Sequence, residues 1–589
     1  MWVLRKENKK ITTPLIFGSA KLALQNSNQS IKPPELIERL LQSRGIENHF
    51  WNDLFEPKLS VLKDPFVLKG MAEAVDRLLQ AFEKNEKICI YADFDLDGTS
   101  GLALTKTALE NFGFSNLTFY QPRRLKEGYG FHADAVRELA LLDVKVIVTI
   151  DVGITSHAAC KMAKELGVDV VLTDHHLPNE TLPPAYAIVN PNQGTCTSGL
   201  GYLSGAGVGF YLIRALRRKM VERNFDSGLI EKIKAWDIKE ILDVFTIATL
   251  TDMVPLVEDN RVLVKHGLVA LKNTKRPGLR ELIKKLNFDG KDLTSSDVGI
   301  RIAPKLNALS RMDSVILPIH IYIEKSSADA ELLVEKMFDS NQDRLDLQSF
   351  AENKAEELLK DWKYSNFIFL CSDQFHRGVI GLVATKLAQA YHKPVFIGSL
   401  NSEGIIVGSS RQQDDSNTSL VDALFFCGEA LNRSGGHYSA AGFELNIKNI
   451  DDFVAGLDRF FNLDRKNLVR QTEYDLEAHF SDVNENYLRW HYSMGPFGVG
   501  FPEPIYRFNR LRLESIKELK GGHIKLFMAE VGHENYNVIE ALYFSPKEKV
   551  KALLKENHFY DILGEVQKNS FRGKDTVQIL VKDILETVA

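Results

Sequence analysis

The sequence predicts an α/β protein, in which a domain with a parallel sheet is joined by a long helix to a second α/β domain and then to a small β-barrel. Three observations support this prediction. Short β-branched runs alternate with amphipathic helical patterns from about residue 70 onward. A charged stretch without glycine or proline covers residues 327–364. The residues from about 465 to 589 contain strand-like segments without strong helical periodicity.

Three apolar runs in the first domain have the length and the β-branched content of buried strands. They cover residues 88–91, 144–150 and 168–172, with helical patterns between them. Strands of a parallel sheet are buried on both faces and are therefore apolar throughout. We assign residues 70–326 to this domain, and we treat residues 1–69, which show no identifiable chemistry, as an N-terminal extension.

The second half of the chain follows a different pattern. Residues 327–364 place apolar side chains at helical spacing, which predicts a connecting helix. A strand at 367–370 and several glycine-rich turns then indicate a second α/β domain over residues 365–460. Residues 465–589 include the strand-like segments 522–528 and 576–581, which favour a small barrel.

The composition is that of an ordinary globular protein, with 44% hydrophobic and 26% charged residues. No segment has the apolar length of a membrane span, and the first residues do not resemble a signal peptide, so we expect a cytoplasmic protein without membrane contact. Five scattered cysteines without a CxxC pair predict neither disulfides nor a zinc ribbon.

The net charge of −5 requires any nucleic-acid site to be a local basic surface. One segment offers such a surface, because twelve Lys and Arg residues stand against four acids between Arg261 and Arg311. A charge run is most often a solvated helix face, and the alternative is a path for nucleic acid.

Each predicted strand of the first domain runs into acids or histidines just beyond its carboxyl end. These residues are Asp93, Asp95 and Asp97 after the first strand, Asp151 after the second, and Asp174, His175 and His176 after the third. Ligands bind at this edge of an open parallel sheet, so three segments deliver ionisable groups to one crevice. Asp252, which follows an apolar helix and precedes a proline turn, is a fourth source.

So many carboxylates in one place imply bound cations, because otherwise they would repel one another and raise each other's pKa. Oxygen-rich ligation with one imidazole suits Mg²⁺ or Mn²⁺ better than zinc or iron. Two ions about 3.5 to 4 Å apart, bridged by one carboxylate, would suit hydrolysis of a phosphodiester.

Each of these elements also has a simpler interpretation. The Asp-x-Asp-x-Asp-Gly sequence resembles a calcium loop, but Leu104 stands where the loop requires glutamate. Asp174 in isolation would be a helix cap before two histidines, and Asp252 in isolation would be a turn residue. Their joint placement favours the metal site.

The same residues resemble the DHH phosphoesterase superfamily, named for the Asp-His-His element found here at residues 174–176, and within it the RecJ family. The resemblance covers nearly the whole chain. Its motifs lie at residues 43–46, 64–66, 93–99, 122–124, 127–130, 251–256, 302–307, 310–312, 376–381, 435–443 and 495–500. Two positions depart from the family pattern, namely Ala92 in place of glycine and Leu309-Ser310 in place of two small residues. Neither is an expected ligand.

The resemblance implies a role for each candidate residue. It implies that two Mn²⁺ or Mg²⁺ ions are held by Asp95, Asp97, Asp151, His175 and Asp252, with Asp151 as the bridge and Asp93 as a further ligand. His176 would face the scissile phosphate, although the sequence alone does not separate the two imidazoles. The implied DNA-binding residues are Arg123, Arg301, Asn307, Arg311, Arg377, Ser409, Arg411, Gly436 and His437.

The resemblance further implies a single-stranded-DNA-specific 5′-3′ exonuclease of DNA repair and recombination that releases 5′ mononucleotides. Its DHH and DHH-associated domains would be followed by an OB-fold barrel. A monomer that acts with a single-strand-binding protein and a helicase is expected. Two alternatives stay open at this point. One is an enzyme on short substrates, against which the length and the barrel argue. The other is a non-catalytic DNA-binding scaffold, which would not need the complete set of acids.

Overall fold

A short strand and two helices precede the first domain. The structure is a computed structural model that describes residues 2–5, 32–223, 225–312, 314–413, 418–463, 472–530, 538–546, 548–571 and 574–587. The first elements are β1 (Trp2–Leu4), α1 (Glu35–Ser43) and α2 (Trp51–Phe55).

A parallel sheet of five strands lies at the centre of the first domain, which confirms the predicted fold class. Its strands are β2 (Lys87–Ala92), β3 (Leu117–Tyr120), β4 (Val144–Ile150), β5 (Asp169–Thr173) and β6 (Ala187–Val189). They lie in the order β3-β2-β4-β5-β6, and all neighbouring strands are parallel. The central strands β2 and β4 are buried over most of their length, as their continuous apolar runs require.

Helices cover both faces of this sheet and extend the domain beyond it. They are α3 (Met71–Glu83), α4 (Leu96–Asn111), α5 (Ala133–Leu141), α6 (His157–Glu165), α7 (Gly205–Glu222), α8 (Ser227–Ala235), α9 (Leu242–Thr251), α10 (Glu258–Lys272), α11 (Pro277–Lys285), α12 (Ser295–Asp297), α13 (Ala303–Arg311) and α14 (Pro318–Ile323). A π-helical turn, Val298–Ile302, joins α12 to α13. Two apolar cores result, one on each face of the sheet.

The predicted connecting helix is present as α15 (Ser327–Leu359), which has 33 residues and is about 50 Å long at 1.5 Å per residue. Its first half packs into the first domain through Val334 and Met337. Its second half packs into the second domain through Ala351 and Ala355. None of the helices in the described ranges combines the length and the apolar character needed to cross a membrane.

The second domain contains a mixed sheet of five strands in the order β10-β11-β9-β8-β7. Its strands are β7 (Ile368–Ser372), β8 (Val395–Leu400), β9 (Ile405–Arg411), β10 (Arg433–Gly436) and β11 (Ala440–Asn446). Only the β7–β8 pair is parallel. The helices are α16 (Ile380–Tyr391), α17 (Leu420–Phe426) and α18 (Ile450–Leu463).

The C-terminal barrel closes because β14 pairs with both β15 and β17, which confirms the predicted barrel. The strands of this region are β12 (Thr472–Tyr474), β13 (Leu476–Glu477), β14 (Tyr506–Glu518), β15 (Ile524–Glu530), β16 (Val538–Tyr543), β17 (Phe559–Phe571) and β18 (Lys574–Thr587). The helices α19 (Glu485–Met494) and α20 (Glu548–Leu553) accompany them.

The apolar side chains of the N-terminal helices pack against this barrel, and Lys265 Nζ of the first domain donates a hydrogen bond of 3.2 Å to Leu54 O. The apolar face of α1 and the side chain of Trp51 share one buried cluster with barrel residues such as Phe501. The strand β1 pairs in parallel with β12. Arg44 Nε donates a hydrogen bond of 3.0 Å to Asp475 Oδ1, and both side chains are buried. The two ends of the chain therefore form one structural unit.

Candidate active site

The acids and histidines predicted at the strand ends meet at one edge of the parallel sheet. Asp93 follows β2, Asp151 follows β4 and Asp174 follows β5, so the carboxyl ends of three neighbouring strands each contribute a carboxylate. None of these three residues is more than 2% exposed. The crevice predicted from the sequence is therefore present.

Two helix N-termini point at the carboxylates that follow β2. Asp95 caps α4, and its Oδ1 accepts hydrogen bonds from the backbone N–H groups of Asp97 (2.9 Å) and Gly98 (3.0 Å). The two oxygens of Asp97 accept hydrogen bonds from Gly205 N (2.6 Å) and Ala206 N (3.1 Å), which begin α7. The positive end of each helix dipole stabilises the ionised form of these groups.

Gly205 has a role that the sequence analysis missed. A Cβ atom at this position would lie 2.3 Å from Asp151 Cβ, so only glycine lets α7 approach the end of β4. The available signal was the sequence Ser204-Gly205-Ala206-Gly207, in which Ser204 caps α7 by accepting a hydrogen bond of 3.2 Å from Gly207 N. A glycine-rich helix start is a common sign of close backbone approach.

Backbone strain is present at one expected ligand and directly beside another. Asp151 has a φ of 62°, and Met253, directly after Asp252, has a φ of 59°. Such left-handed conformations are unfavourable for residues other than glycine, and aspartate tolerates them better than most. Residues held in this way occur frequently at functional sites.

His175 lies among three carboxylates. Its Nε2 atom is 3.2 Å from Asp151 Oδ1, 3.6 Å from Asp252 Oδ2 and 4.0 Å from Asp97 Oδ2. Burial and the charge of His176 lower the pKa of His175 to about 4. The imidazole is therefore neutral near pH 7, which is the form that binds a metal ion.

His176 has a different environment. Its Nδ1 atom is 2.7 Å from Asp174 Oδ1, and Tyr129 Oη lies 3.3 Å from the same nitrogen. Burial lowers the pKa of His176, but the hydrogen bond and the charge of Asp174 outweigh it and raise the pKa to about 9. The ring faces the second domain, with 6.2 Å between its centroid and that of His437. The geometry thus distinguishes the two imidazoles.

The donor set fits cations. Among the described residues, four buried atoms of the cluster have no hydrogen-bond partner, namely Asp93 Oδ1, Asp151 Oδ1, His175 Nε2 and Asp252 Oδ2. Burial and neighbouring aspartates raise the pKa of Asp97 to about 6 and that of Asp252 to about 8, and they also raise the pKa values of Asp93 and Asp151. Cations would neutralise this repulsion and occupy the free atoms.

Three arginines and a serine lie beside this cluster, across the two domains. Arg411 Nη1 donates a hydrogen bond of 2.8 Å to Ser409 Oγ. Burial and the positive charges of Arg124, Arg411 and Arg344 lower the pKa of Arg311 to about 9. Arg124 lies above the Phe94 ring, 5.0 Å from its centroid. It is near enough to Asp93 and Asp95 for their negative charges to favour its protonated form. In the described part of the chain, none of the three has a carboxylate as an ion-pair partner, so their charges are not neutralised within the protein.

Protein-family models match three parts of the chain. The DHH family, N-terminal domain, matches residues 87–249, the DHHA1 domain matches residues 364–463, and the RecJ OB domain matches residues 474–583. The single-stranded-DNA-specific exonuclease RecJ of Dickeya dadantii is 31% identical over 94% of this chain and 96% of its own length. The chain belongs to the RecJ family. The RecJ of Escherichia coli is 30% identical over 94% of this chain and 96% of its own length.

Solved structures agree with this assignment. The RecJ of Thermus thermophilus in complex with Mn²⁺ has a TM-score of 0.78 and 25% identity, covering 95% of this chain and 77% of that one. Another exonuclease RecJ bound to manganese has a TM-score of 0.56 and 31% identity, covering 67% of this chain and 95% of that one. As a member of the RecJ family, the chain is a metal-dependent exonuclease with DHH, DHHA1 and OB domains.

The other DNA-binding residues expected from the RecJ family are more dispersed. Arg123 Nη1 donates to Ser314 O at 3.0 Å, and Arg301 Nη2 donates to Leu286 O at 3.2 Å. Arg377 is exposed in the turn before α16. Asn307 lies on α13 one turn before Arg311, on the same face.

Gly436 ends β10 with a φ of 145°, and a Cβ atom there would lie 2.5 Å from Ala440 O. The geometry of the hairpin formed by β10 and β11 is therefore sufficient to require glycine here, without any bound phosphate. The close approach of a phosphate to the backbone at this position stays a prediction.

The basic segment between Arg261 and Arg311 does not form one surface. Arg261 is 2% exposed and faces the barrel. Lys272 pairs with Asp292 at 2.8 Å and Lys275 pairs with Glu240 at 2.6 Å. The count of charges therefore overstated the positive surface of this RecJ-family chain, because several of its cations are already neutralised.

Two arginines near the site were not identified from the sequence. Arg124 stands beside Arg123 in the motif at residues 122–124, and only the structure shows which of the two faces Asp93 and Asp95. Arg344 lies on the buried stripe of α15 and is 9% exposed. A charged residue at helical spacing from Met337 and Asn341 was the signal that would have revealed it.

Proposed function

We propose that this RecJ-family exonuclease hydrolyses single-stranded DNA from the 5′ end with two Mn²⁺ or Mg²⁺ ions and releases 5′ mononucleotides. One observation supports this most directly. The cluster of acids and histidines at the sheet edge faces an arginine cluster without acid partners, shared between the two domains. The curated relatives are named single-stranded-DNA-specific exonucleases, which supports the choice of substrate.

Two groups of residues would hold the ions, because the donor atoms within each group lie within 4.8 Å of one another. The groups are Asp97, His175 and Asp252 for one ion, and Asp93, Asp95 and Asp151 for the other. Asp151 Oδ1 lies 3.2 Å from His175 Nε2 of the first group, which suits Asp151 to the bridging role. Bound in this way, such ions lower the pKa of water and stabilise charge at a phosphodiester.

His176 would contact the scissile phosphate. With a pKa of about 9, its imidazole is positively charged near neutral pH. Asp174 orients the ring through Nδ1 and is itself held by the backbone N–H groups of Ile154 (2.9 Å) and His175 (2.7 Å). The other ring nitrogen is then available to donate a hydrogen bond to an oxyanion.

Arg124, Arg311 and Arg411, together with Ser409, would bind the phosphate on the 5′ side of the scissile bond. Guanidinium groups match the geometry of phosphate oxygens and bind them with short, charge-assisted hydrogen bonds. Arg344 of α15 lies near enough to Arg311 for its charge to lower the pKa of that residue, and it would add positive charge to this site. The choice of the 5′ end comes from the family resemblance, as do the single-strand-binding protein, the helicase and the role in repair and recombination. We also propose a monomer, and a cytoplasmic location on the basis of the sequence pattern.

Matched oligonucleotides labelled at either end test the proposal. The wild-type chain with Mn²⁺ or Mg²⁺ should release a 5′-labelled mononucleotide early from the single strand and not from a blunt duplex. Chelation of the metal should stop release. Early release of the 3′ label, or equal attack on the duplex, would contradict the proposed substrate, and turnover of dinucleotides alone would favour the short-substrate alternative.

A further inference from the structure

The segment that carries Asp252 makes direct contact with the C-terminal barrel. Asp252 follows α9, and the chain then turns through Met253 into Pro255 and the buried Leu256. The backbone N–H of Leu256 donates a hydrogen bond of 2.7 Å to Val499 O, in the barrel segment that we call the 495–500 loop.

At two glycines, the 495–500 loop lies too close to this segment to leave room for a side chain. A Cβ atom on Gly498 would lie 2.8 Å from Leu256 Cδ1. Gly500 has a φ of 79°, and a Cβ atom there would lie 3.1 Å from Val257 Cγ1. Both glycines therefore allow a close approach that any larger residue would disturb.

The first domain in turn holds the 495–500 loop. Arg261 Nη1 donates a hydrogen bond of 2.9 Å to Pro496 O, and Nη2 donates to Gly495 O at 3.3 Å and to Met494 O. Ser295 Oγ donates a hydrogen bond of 2.5 Å to Phe497 O. Arg261 and Ser295, two residues of the first domain, thus hold the loop in place.

Asp252 is the expected ligand whose carboxylate is held in place by the fewest contacts. Asp95 and Asp97 accept hydrogen bonds from backbone amides, and Asp151 lies against Gly205. In the described part of the chain, no hydrogen bond holds the Asp252 carboxylate, whose Oδ2 atom is buried without a partner. The position of this carboxylate is therefore set by its backbone.

The packing around the segment is incomplete on the side that faces the 495–500 loop. A cleft of about 370 Å³ lies between α9 and the 495–500 loop, and Leu250, Met253, Phe497 and Val499 line it. Met253 is 66% exposed. Leu256 also belongs to the core of the first domain, and Asn260 Nδ2 donates a hydrogen bond of 3.1 Å to Pro255 O. The contacts of Leu256 with Gly498 and Val499 therefore add a second support, from the barrel, to the turn after Asp252.

We propose that the 495–500 loop of the barrel positions Asp252 for metal binding, with Gly498, Val499 and Arg261 as positioning residues. This inference rests on the proposed function, in which Asp252 is a metal ligand. It gives the barrel a part in the metal centre in addition to any contact with DNA. Groups that orient metal ligands without touching the metal commonly change its affinity by about 10- to 100-fold when mutated.

The full-length Gly498→Val variant tests the proposal, because its side chain would displace Leu256. Titration calorimetry with Mn²⁺ in the absence of DNA should show one ion bound about tenfold more weakly or worse, with the other ion unchanged. The Mn²⁺ concentration for half-maximal hydrolysis should rise in parallel, and saturating Mn²⁺ should restore kcat. Gly194→Val is the matched control, since no atom lies within 4 Å of the position of its Cβ.

Asp252→Asn in the same titration separates the possible outcomes. Unchanged affinity for both ions in Gly498→Val, with weakened affinity in Asp252→Asn, would overturn the positioning role alone. Unchanged affinity in Asp252→Asn would overturn the metal-ligand assignment in the proposed function. If Gly498→Val does not fold, as judged by its melting temperature, then the smaller Gly498→Ala variant carries the same comparison.

Discussion

Asp174 Oδ1 and His176 Nδ1 are 2.7 Å apart at the end of β5, and Asp174 has no exposed surface. The carboxylate is kept ionised by this contact, since burial alone would raise its pKa and yet the hydrogen bond and charge of His176 lower it. The pair therefore stabilises the charged form of His176, whose pKa is raised to about 9. A positive imidazole beside the metal site depends on Asp174.

Replacement of Asp174 by asparagine should lower the pKa of His176. The variant loses the negative charge that favours protonation of His176, whereas the burial that opposes protonation remains. Since the charged form is the active one in the proposed function, activity is lost as the pH rises through this pKa. The alkaline limb of the kcat profile should therefore move to lower pH, and activity at pH 8 should fall by about tenfold or more.

A profile of kcat against pH at saturating Mn²⁺ measures this shift. The control is Asp169→Asn, at the other end of β5, where the partly exposed aspartate pairs with Arg77 at 2.6 Å and Glu86 remains as a second partner of that arginine. An unchanged alkaline limb in Asp174→Asn would show that the charge of His176 is not required.

Asp151→Asn should abolish hydrolysis while the fold is kept. Asparagine tolerates the φ of 62° at this position, whereas alanine would add strain of about 1 kcal/mol. Removal of the charge also relieves repulsion with Asp97 and Asp95, so the metal-free variant should melt no lower than the wild type. Activity and melting temperature in EDTA are the measurements.

Asp143 provides a matched control for this variant. It precedes β4, has the same φ of 62° and is exposed, where it pairs with Lys145 at 2.8 Å. Asp143→Asn should keep full activity. Mn²⁺-dependent activity above about a tenth of wild type in Asp151→Asn would contradict the bridging role.

Metal binding should release protons. In the metal-free protein the pKa of Asp252 is about 8 and that of Asp97 about 6, whereas both ionise near pH 3.8 when unperturbed. Between pH 4 and 8 the folded chain thus holds protons that the unfolded chain has lost, so the free energy of unfolding of the metal-free protein falls as the pH rises through this window.

Because Mn²⁺ must displace these protons, its affinity should rise by about tenfold per pH unit for each proton released, up to about pH 8. Calorimetry in buffers of different ionisation enthalpy measures the number of protons. The increase in melting temperature on adding Mn²⁺ should be larger at pH 8 than at pH 6. Affinity that does not change between pH 6 and 8 would argue against ligation by Asp252, whose pKa of about 8 lies in this range.

The sequence predicted the cluster of acids and histidines well because one rule of parallel sheets brings separate segments together. Asp93, Asp151 and Asp174 each follow a strand, and the carboxyl ends of those strands necessarily share an edge. The predicted order of domains is confirmed for a similar reason, since strand and helix periodicities are local properties of the sequence.

Contacts between distant segments could not be predicted in this way. The strand β1 pairs with β12 across almost the whole chain, and nothing in the pattern of α1 specifies the barrel as its partner. The position of Arg124 rather than Arg123 beside the acids depends on the conformation of a loop. The contact of Leu256 with Val499 likewise depends on how two domains pack.

Deletion of the barrel should destabilise the N-terminal segment. A chain cut after residue 463 would expose the apolar face of α1, where Leu36, Ile37, Leu40 and Leu41 are at most 3% exposed. Burial of four such side chains contributes about 6 to 12 kcal/mol. The cut chain should therefore aggregate or melt at a lower temperature, and removal of residues 1–56 as well should restore solubility. A cut chain that melts as the wild type does would contradict this packing.

Arg411→Gln should selectively weaken the binding of single strands that carry a 5′ phosphate. The guanidinium lies beside Arg124 and Arg311 and has no acid partner among the described residues, so its charge is available to an anion. One charge-assisted hydrogen bond contributes about 1.5 to 3 kcal/mol, which corresponds to a loss of affinity of about 10- to 150-fold. Removal of one of several like charges should not lower the melting temperature.

Binding in EDTA, compared between 5′-phosphorylated and 5′-hydroxyl oligonucleotides, measures the effect of Arg411→Gln. The control is Arg433→Gln, because Arg433 is exposed on β10 and already pairs with Glu444 at 2.7 Å. An equal loss for both oligonucleotides would show that Arg411 contacts an internal phosphate rather than the terminal one, and no loss would exclude it from the strand's path.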